Sequence, residues 1–128
     1  METLVIEPVK HRIPKVEFNP QTGNMTLEGL SRAENALDVY SPVLQWTDEY
    51  LLAPSSQTTI HMKIKYFNTS SAKCLLELME KFLSLASKGK QVVINWYHDP
   101  EDDDMIDAGK LFEEVLDAKI NFVPEEEE

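Results

Sequence analysis

Basic residues are scarce in this sequence, which has 12 Lys and Arg against 23 Asp and Glu and a net charge of −11. Binding to nucleic-acid phosphates or to anionic lipid needs clustered Lys and Arg, so we expect neither a nucleic-acid nor a membrane partner. No apolar stretch is long enough to span a bilayer, and Leu4-Val5-Ile6 is too short for a signal peptide. We therefore expect a cytoplasmic protein.

Cysteine occurs once, as Cys74, so no internal disulfide can form, which suits a reducing compartment. His11, His61 and His98 lack the spacing of a metal-binding helix, and the acidic run over residues 99–107 lacks the pattern of a calcium loop. A Gly-rich phosphate loop and the glycines of a hydrolase nucleophile elbow are also missing. We therefore expect no metal, no cofactor and no catalytic activity, and a thiol pair of Cys74 with His61 or His98 has no support in the spacing.

The most regular pattern is an alternating stretch over residues 58–67, which is followed at once by hydroxyl residues and a strongly apolar helix. Apolar and polar side chains alternate with the period of a half-buried strand. The predicted core face carries Ile60, Met62, Ile64 and Tyr66, and the opposite face carries His61, Lys63 and Lys65. Apolar residues then recur at helical spacing up to Gly89, which is placed to end the helix. Residues 68–71 are therefore predicted to form a strand-to-helix turn.

Asn68, Thr69, Ser70 and Ser71 place side-chain acceptors at the start of that helix. Backbone N–H groups there lack intrahelical partners, and Asn, Thr and Ser commonly cap them, so structural capping is the simplest interpretation. The same N–H groups and the positive end of the helix dipole also tolerate a phosphate, and Lys73 lies one turn further on. A phosphate on Thr69 would add about −1.5 to −2 charge without melting the helix, which changes what binds rather than what folds.

The other elements predict an α/β domain over residues 1–124 and an acidic tail at residues 125–128 that we expect to be frayed. In chain order we predict an edge strand at residues 2–7, a hairpin over residues 16–27, a helix ending near residue 52, a strand at residues 92–97, a helix at residues 103–117 and a closing strand at residues 120–122. Together they predict a mixed sheet of four to five strands, with an N-terminal hairpin and with helices packed against the sheet.

Two details of this arrangement are open to a structural test. The first helix has two possible starts, because Ser31 and Glu34 have capping-box spacing while Ser41-Pro42 suits an N-cap and first helical position; we favour the second. The continuous apolar run at residues 92–94 predicts a strand that is buried on both faces and parallel to the strand near Thr59.

Aromatic residues end two neighbouring strands of the predicted sheet, Tyr66 and Phe67 on one and Trp96 and Tyr97 on the other. The carboxyl edge of an open α/β sheet is where ligands and partners commonly bind. Aromatic rings also pack large areas in the core wherever they fall, so these rings have a structural interpretation as well.

The segment Tyr66-Phe67-Asn68-Thr69-Ser70-Ser71-Ala72-Lys73 resembles the Y-x-N-T-S-S-x-K signature of the SiaC family of small bacterial regulatory phosphoproteins, once catalogued as a domain of unknown function. The resemblance extends over about residues 12–123 and includes Glu34-Asn35 leading to Trp46 and the strand that ends at Tyr97. It implies a STAS-like fold, in which a residue at this strand-to-helix turn is phosphorylated.

The resemblance also implies a function. In the SiaC family a dedicated kinase phosphorylates the Thr of the signature, a metal-dependent phosphatase of the PP2C type reverses the reaction, and the unmodified protein binds and activates a diguanylate cyclase. Thr69 is then the phosphosite, with Ser70 and Ser71 as weaker candidates. The residues expected to support the phosphosite or to bind a partner are Asn68, Lys73, Tyr66, Trp96 and Tyr97. The alternative is a STAS-type anti-sigma-factor antagonist controlled by a partner-switching kinase and phosphatase.

Overall fold

The computed structural model describes residues 1–126 and has the predicted mixed α/β architecture. A short 3-10 helix (Ser84–Lys88) continues from the helix at Thr69–Leu83. It ends at Gly89, the residue predicted to terminate the helix, which has the left-handed φ of 81°. In chain order the elements are β1 (Leu4–Ile6), β2 (Lys15–Asn19), β3 (Asn24–Ser31), α1 (Ala36–Tyr50), β4 (Gln57–Phe67), α2 (Thr69–Leu83), β5 (Gln91–His98), α3 (Asp103–Leu116) and β6 (Asn121–Pro124).

The strands form one six-stranded sheet in the order β1-β2-β3-β4-β5-β6, which is more than the four to five strands predicted. The pairs β1-β2 and β2-β3 are antiparallel, and β3 to β6 are parallel, with Thr59 opposite Val93 in the predicted parallel pair. Because strand order follows chain order, the right-handed crossovers place all three helices on the same face of the sheet. No helix within residues 1–126 covers the other face, which we call the open face.

The prediction that residues 92–94 are buried on both faces is therefore wrong. Ile94 is buried under the helices, whereas Val93 faces the open side of the sheet and is only half-buried. An apolar run of this length does not distinguish a strand covered on two faces from one covered on a single face.

The core lies between the sheet and the three helices. Ile60, Met62 and Ile64 of β4 are each at most 1% exposed, as their alternation predicts. An aromatic cluster fills one end of this layer, where Trp46 and Tyr50 stack with ring centroids 5.4 Å apart. Burial of these side chains supplies the main free energy that holds the helices on the sheet.

Helix α1 begins at Ala36, five residues before the favoured start at Ser41, and Pro42 lies inside the helix. Pro42 has no N–H to donate to the preceding turn, yet the helix continues through it. The early start is stabilised by tertiary packing, because Ala36 and Tyr40 are both fully buried. Ser31, the other predicted cap, is instead the last residue of β3.

A β-bulge at the end of β4 changes the direction of Tyr66. Gly29 pairs with Ile64 but Leu30 pairs with Tyr66, so β4 has one extra residue at this point. The extra residue reverses the alternation beyond it. Tyr66 is therefore 48% exposed rather than on the core face with Ile64 as predicted, and Phe67 turns inward.

The tail prediction falls partly outside the described residues, which stop before residues 127–128. Within the described part, the Glu125 N–H donates to the His98 carbonyl at 2.8 Å, so the first tail residue continues the β6 pairing. In residues 1–126 no helix has the length and apolar character needed to cross a bilayer.

Candidate functional site

The strand-to-helix turn between β4 and α2 is held by Asn68, the N-cap of α2. Its side-chain Oδ1 accepts the Ser71 N–H at 2.8 Å, and its Nδ2 donates to the Ala33 carbonyl at 3.0 Å. Its backbone N–H donates to the Ser31 carbonyl at 3.1 Å. Asn68 therefore connects the start of α2 to the end of β3 by hydrogen bonds, and these bonds fix the position of Thr69, which follows it.

Thr69 is the first residue of α2 and its side chain is exposed. Within residues 1–126 its hydroxyl has no hydrogen-bond partner, and the backbone N–H groups of Thr69 and Ser70 have no acceptor. Lys73 is exposed and lies four residues later, on the same face of the helix. This arrangement leaves a reachable hydroxyl beside two backbone donors, the positive end of a helix dipole and one cation.

Ser70 links the starts of two helices. Its Oγ accepts the backbone N–H of Ala36 at 3.2 Å, while Asn35, the N-cap of α1, makes no capping hydrogen bond with its own side chain. Ser70 thus caps α1 from α2, and its half-buried hydroxyl is already engaged. It is a less accessible phosphate acceptor than Thr69.

Ser71 is fully buried and belongs to a network of hydroxyls beneath the turn. Ser31 Oγ donates to Ser71 Oγ at 2.7 Å, and Ser71 Oγ donates to the Ser31 carbonyl at 3.2 Å. The Tyr40 hydroxyl lies 2.8 Å from Ser31 Oγ, and burial raises the pKa of Tyr40 to about 12, which keeps the phenol protonated. Ser71 is sealed from any modifying protein and acts in folding.

Replacing this serine tests the network. Ser71→Ala should lower the free energy of unfolding by about 1–3 kcal/mol, because Ser31 Oγ and the Ser31 carbonyl each lose a buried partner. Urea denaturation followed by circular dichroism measures the change. Thr69→Ala is the matched control and should change the value by less than about 0.5 kcal/mol, because the Thr69 side chain is exposed. Equal effects of the two substitutions would contradict this assignment.

A groove of about 540 Å³ lies beside the turn on the outer side of α1 and α2. Its apolar part is formed by Leu37, which is 56% exposed, together with Cys74 and Leu76. The polar residues around it are Ser70, Lys73, Glu77 and Glu80. Thr69 does not itself line the groove, but Ser70, which follows it, and Lys73, one turn further on, both do. The exposed Thr69 side chain therefore lies beside one end of the groove.

Within residues 1–126, neither His61 nor His98 makes a hydrogen bond to Cys74, so the structure shows no nucleophile pair there. Burial, with Glu77 as a smaller contribution, raises the pKa of the Cys74 thiol, so the thiolate is disfavoured at neutral pH. His61 lies on the open face of the sheet, on the other side from α2. Its Nδ1 is 3.1 Å from Tyr97 Oη. The pKa of His61 is lowered mainly by burial and to a smaller extent by the positive charge of Lys63.

The four aromatic residues of the carboxyl edge separate into core and surface. Trp96 is fully buried, its Nε1 donates to the Met105 carbonyl at 3.0 Å, and its ring packs against Phe67 and Phe112. Its expected contact with a partner is therefore not possible in this conformation, because the core surrounds the ring. Tyr66 and Tyr97 both lie on the open face, where a partner can reach them.

The turn lies within a stretch that matches a known family. Residues 6–125 match the family model of the SiaC family regulatory phosphoproteins. The chain belongs to the SiaC family. The resemblance seen in the segment from Tyr66 to Lys73 is thereby confirmed, and the assignment covers every element described above except part of β1.

Similar proteins of known structure share the fold. Apo-SiaC from Pseudomonas aeruginosa has a TM-score of 0.83 at 22% identity, covering 98% of this chain and 99% of that one. A chain in the structure of the diguanylate cyclase SiaD in complex with its activator SiaC, from the same organism, has a TM-score of 0.82 at 22% identity, covering 97% and 99%. An uncharacterized protein of P. aeruginosa (strain UCBPP-PA14) is 22% identical over 107 residues, which is 84% of this chain and 85% of that protein.

The sequence predicts the turn but not the residues that surround it. Its local pattern indicates a possible capping role for Ser31 and no role for Tyr40 or Leu37. Ser31 and Ser71 are 40 residues apart, and no local pattern reports a contact between them. The exposed apolar residue at position 37 would have been a signal for the groove, once the helix start at Ala36 was known.

Proposed function

We propose that this chain is a phosphorylation switch, in which unmodified Thr69 permits a diguanylate cyclase to bind and become active, and phosphorylated Thr69 prevents it. The single observation that carries the proposal is the exposed Thr69 hydroxyl at the start of α2, which has no hydrogen-bond partner in the described part of the chain and lies beside an apolar groove. Family membership and the complex of SiaD with its activator SiaC support the choice of partner. The protein acts by binding, not by catalysis, in the cytoplasm.

The modification is a balanced phosphoryl transfer. Thr69 Oγ forms a bond to the γ-phosphorus of ATP, the bond from that phosphorus to the β,γ-bridging oxygen breaks, ADP leaves, and a base of the kinase takes the hydroxyl proton. In the reverse step, water attacks the phosphorus, and Thr69 Oγ leaves and regains a proton as orthophosphate is released. The metal-dependent phosphatase supplies this second reaction, so neither step needs a catalytic group from the chain itself.

The phosphate changes the surface without changing the fold. Lys73 and the N–H groups of Thr69 and Ser70 can each donate to its oxygens, and the helix dipole favours its negative charge. The same charge lies beside Ser70 and Lys73, which line the groove together with Leu37 and Leu76. Placing a dianion in an apolar interface disrupts it through desolvation, so cyclase binding is lost while the free protein stays folded.

Phosphate uptake tests the site directly. With the purified kinase and ATP, the wild-type protein should gain one phosphate by intact-protein mass spectrometry, and Thr69→Ala should gain none, because the acceptor oxygen is absent. Tandem mass spectrometry then locates the group. Ser70→Ala is the control and should still accept the phosphate, because its hydroxyl caps Ala36 and is not the acceptor. Phosphate found on Ser70 or Ser71 in the wild-type protein would contradict the assignment.

A further inference from the structure

The β-bulge in β4 turns Tyr66 onto the open face of the sheet, three residues before Thr69. Without the extra residue, the alternation of β4 would have placed this ring in the core. Bulges often occur beside functional sites, where they redirect one side chain at the expense of ladder pairing. The carboxyl edge thus presents an exposed aromatic ring close to the candidate phosphosite, on the side of the sheet away from the groove.

Two cations stack on aromatic rings along this edge. The Arg32 guanidinium carbon lies 5.2 Å from the centre of the Tyr66 ring, and Lys63 Nζ lies 4.6 Å from the centre of the Tyr97 ring. A cation on a ring face keeps its N–H donors available for other acceptors. We name these four residues, Arg32, Lys63, Tyr66 and Tyr97, the cation–aromatic strip.

The two ends of the strip differ in charge. The Lys63 end borders a pocket of about 430 Å³ that is also lined by Glu28, Glu125 and Glu126, so positive and negative charges are mixed there. None of the described residues forms an ion pair with Arg32 at the other end. Tyr66, at the Arg32 end of the strip, is also closer to Thr69 along the chain than Lys63 is, because it lies near the end of the strand that leads into α2.

We propose that the strip, through Arg32 and Tyr66, is the docking surface for an acidic face of the kinase that phosphorylates Thr69. The inference rests on the proposed function. A positive and aromatic surface on a chain of net charge −11 is complementary to an acidic protein surface, and the overall charge opposes nucleic acid and anionic lipid. Arg and Tyr are also among the residue types that most often carry binding energy at protein interfaces.

The charge change explains why the kinase, and not the phosphatase, suits this surface. Phosphorylation adds about −1.5 to −2 charge at Thr69, three residues from Tyr66, so it repels an acidic surface docked on the strip. A kinase with such a surface binds the unmodified chain and releases the product. A phosphatase must bind the phosphorylated chain, which the same repulsion would oppose.

The test is the steady-state kinetics of Thr69 phosphorylation by the purified kinase, with the chain as the varied substrate. Arg32→Glu should lower kcat/KM about tenfold or more, mainly through KM, because the substitution reverses the charge that guides docking. Tyr66→Ala should lower it in the same way, because the ring that Arg32 stacks on is lost. The matched control is Lys90→Glu, which makes the same charge change at an exposed residue just before β5 and should stay within about twofold of wild type.

Two further readouts separate docking from damage to the fold. Raising the ionic strength should raise the wild-type KM towards that of Arg32→Glu, because salt screens the attraction. Unmodified Arg32→Glu and Tyr66→Ala should activate the cyclase as the wild-type protein does, because the groove lies on the other side of the sheet.

Each result decides between the proposals. Equal kcat/KM for Arg32→Glu and Lys90→Glu, with wild-type protein phosphorylated on Thr69, would overturn the strip and leave the proposed function intact. Loss of cyclase activation in unmodified Arg32→Glu, with normal phosphorylation, would overturn it too and assign the surface to the cyclase. A wild-type protein that takes no phosphate would overturn both proposals.

Discussion

Thr69→Asp should reduce activation of the diguanylate cyclase by about tenfold or more, because the substitution places a fixed negative charge at the edge of the groove lined by Leu37 and Leu76. The free energy of unfolding should change by less than about 1 kcal/mol, and an increase is more consistent with the structure than a decrease, because a carboxylate at the first turn of α2 is favoured by the helix dipole. Formation of cyclic di-GMP from GTP at increasing concentrations of the variant measures the first quantity, and urea denaturation measures the second.

Thr69→Asn is the matched control, because asparagine has the shape of aspartate without its charge. It should activate the cyclase within about threefold of the wild-type protein, since an exposed neutral side chain at this position loses no contact. If Thr69→Asp and Thr69→Asn lose activation equally, shape and not charge controls docking, and the electrostatic mechanism is wrong. If Thr69→Asp unfolds the protein, Thr69 is a structural cap.

Trp96→Ala should lower the free energy of unfolding by about 3–5 kcal/mol, a large part of the stability of a domain of this size. The ring is fully buried between Phe67 and Phe112, at centroid distances of 6.1 Å and 5.1 Å. Its removal leaves a cavity and also deprives the Met105 carbonyl of the indole N–H. Chemical denaturation gives the loss.

Tyr66→Ala makes the same kind of change at the surface. It separates the role of an exposed ring, Tyr66, from that of a core ring, Trp96, although the sequence predicts partner contact for both. It should change the unfolding free energy by less than about 1 kcal/mol, because half of the side chain is already in water. Trp96→Phe should recover part of the stability lost in Trp96→Ala by filling most of the cavity. A stable Trp96→Ala protein that fails to bind the cyclase would show that Trp96 acts at an interface, which contradicts its position in the core.

Period-2 and helical patterns predicted the elements around the site well. The alternation in β4, the polar run after it and the Gly89 stop together gave the turn, and that turn has the N-cap at Asn68 that its chemistry requires. These patterns involve residues that are close together in the chain, so they can be recognised without knowing the tertiary structure. The SiaC signature added the choice of Thr69 among three neighbouring hydroxyls, and this assignment is still a proposal.

Tertiary contacts explain the predictions that were wrong. The Ser41-Pro42 start signal for α1 is a sound local preference, but Ser70 Oγ accepts the Ala36 N–H and buried Tyr40 fixes the preceding turn. The alternation of β4 gave no sign of the bulge, because its cause is the pairing with β3 at Gly29. Both deviations adjoin Thr69, where the fold departs from local preference and exposes side chains to partners.

The most direct test of the switch compares cyclase activation with the measured extent of phosphorylation of the same sample. Intact-protein mass spectrometry gives the phosphorylated fraction of the chain after timed reaction with kinase and ATP, and cyclic di-GMP formation gives the activation. Activation should fall in proportion to the fraction phosphorylated on Thr69 and return when the phosphatase removes the group. Full activation by a completely phosphorylated sample would contradict the switch.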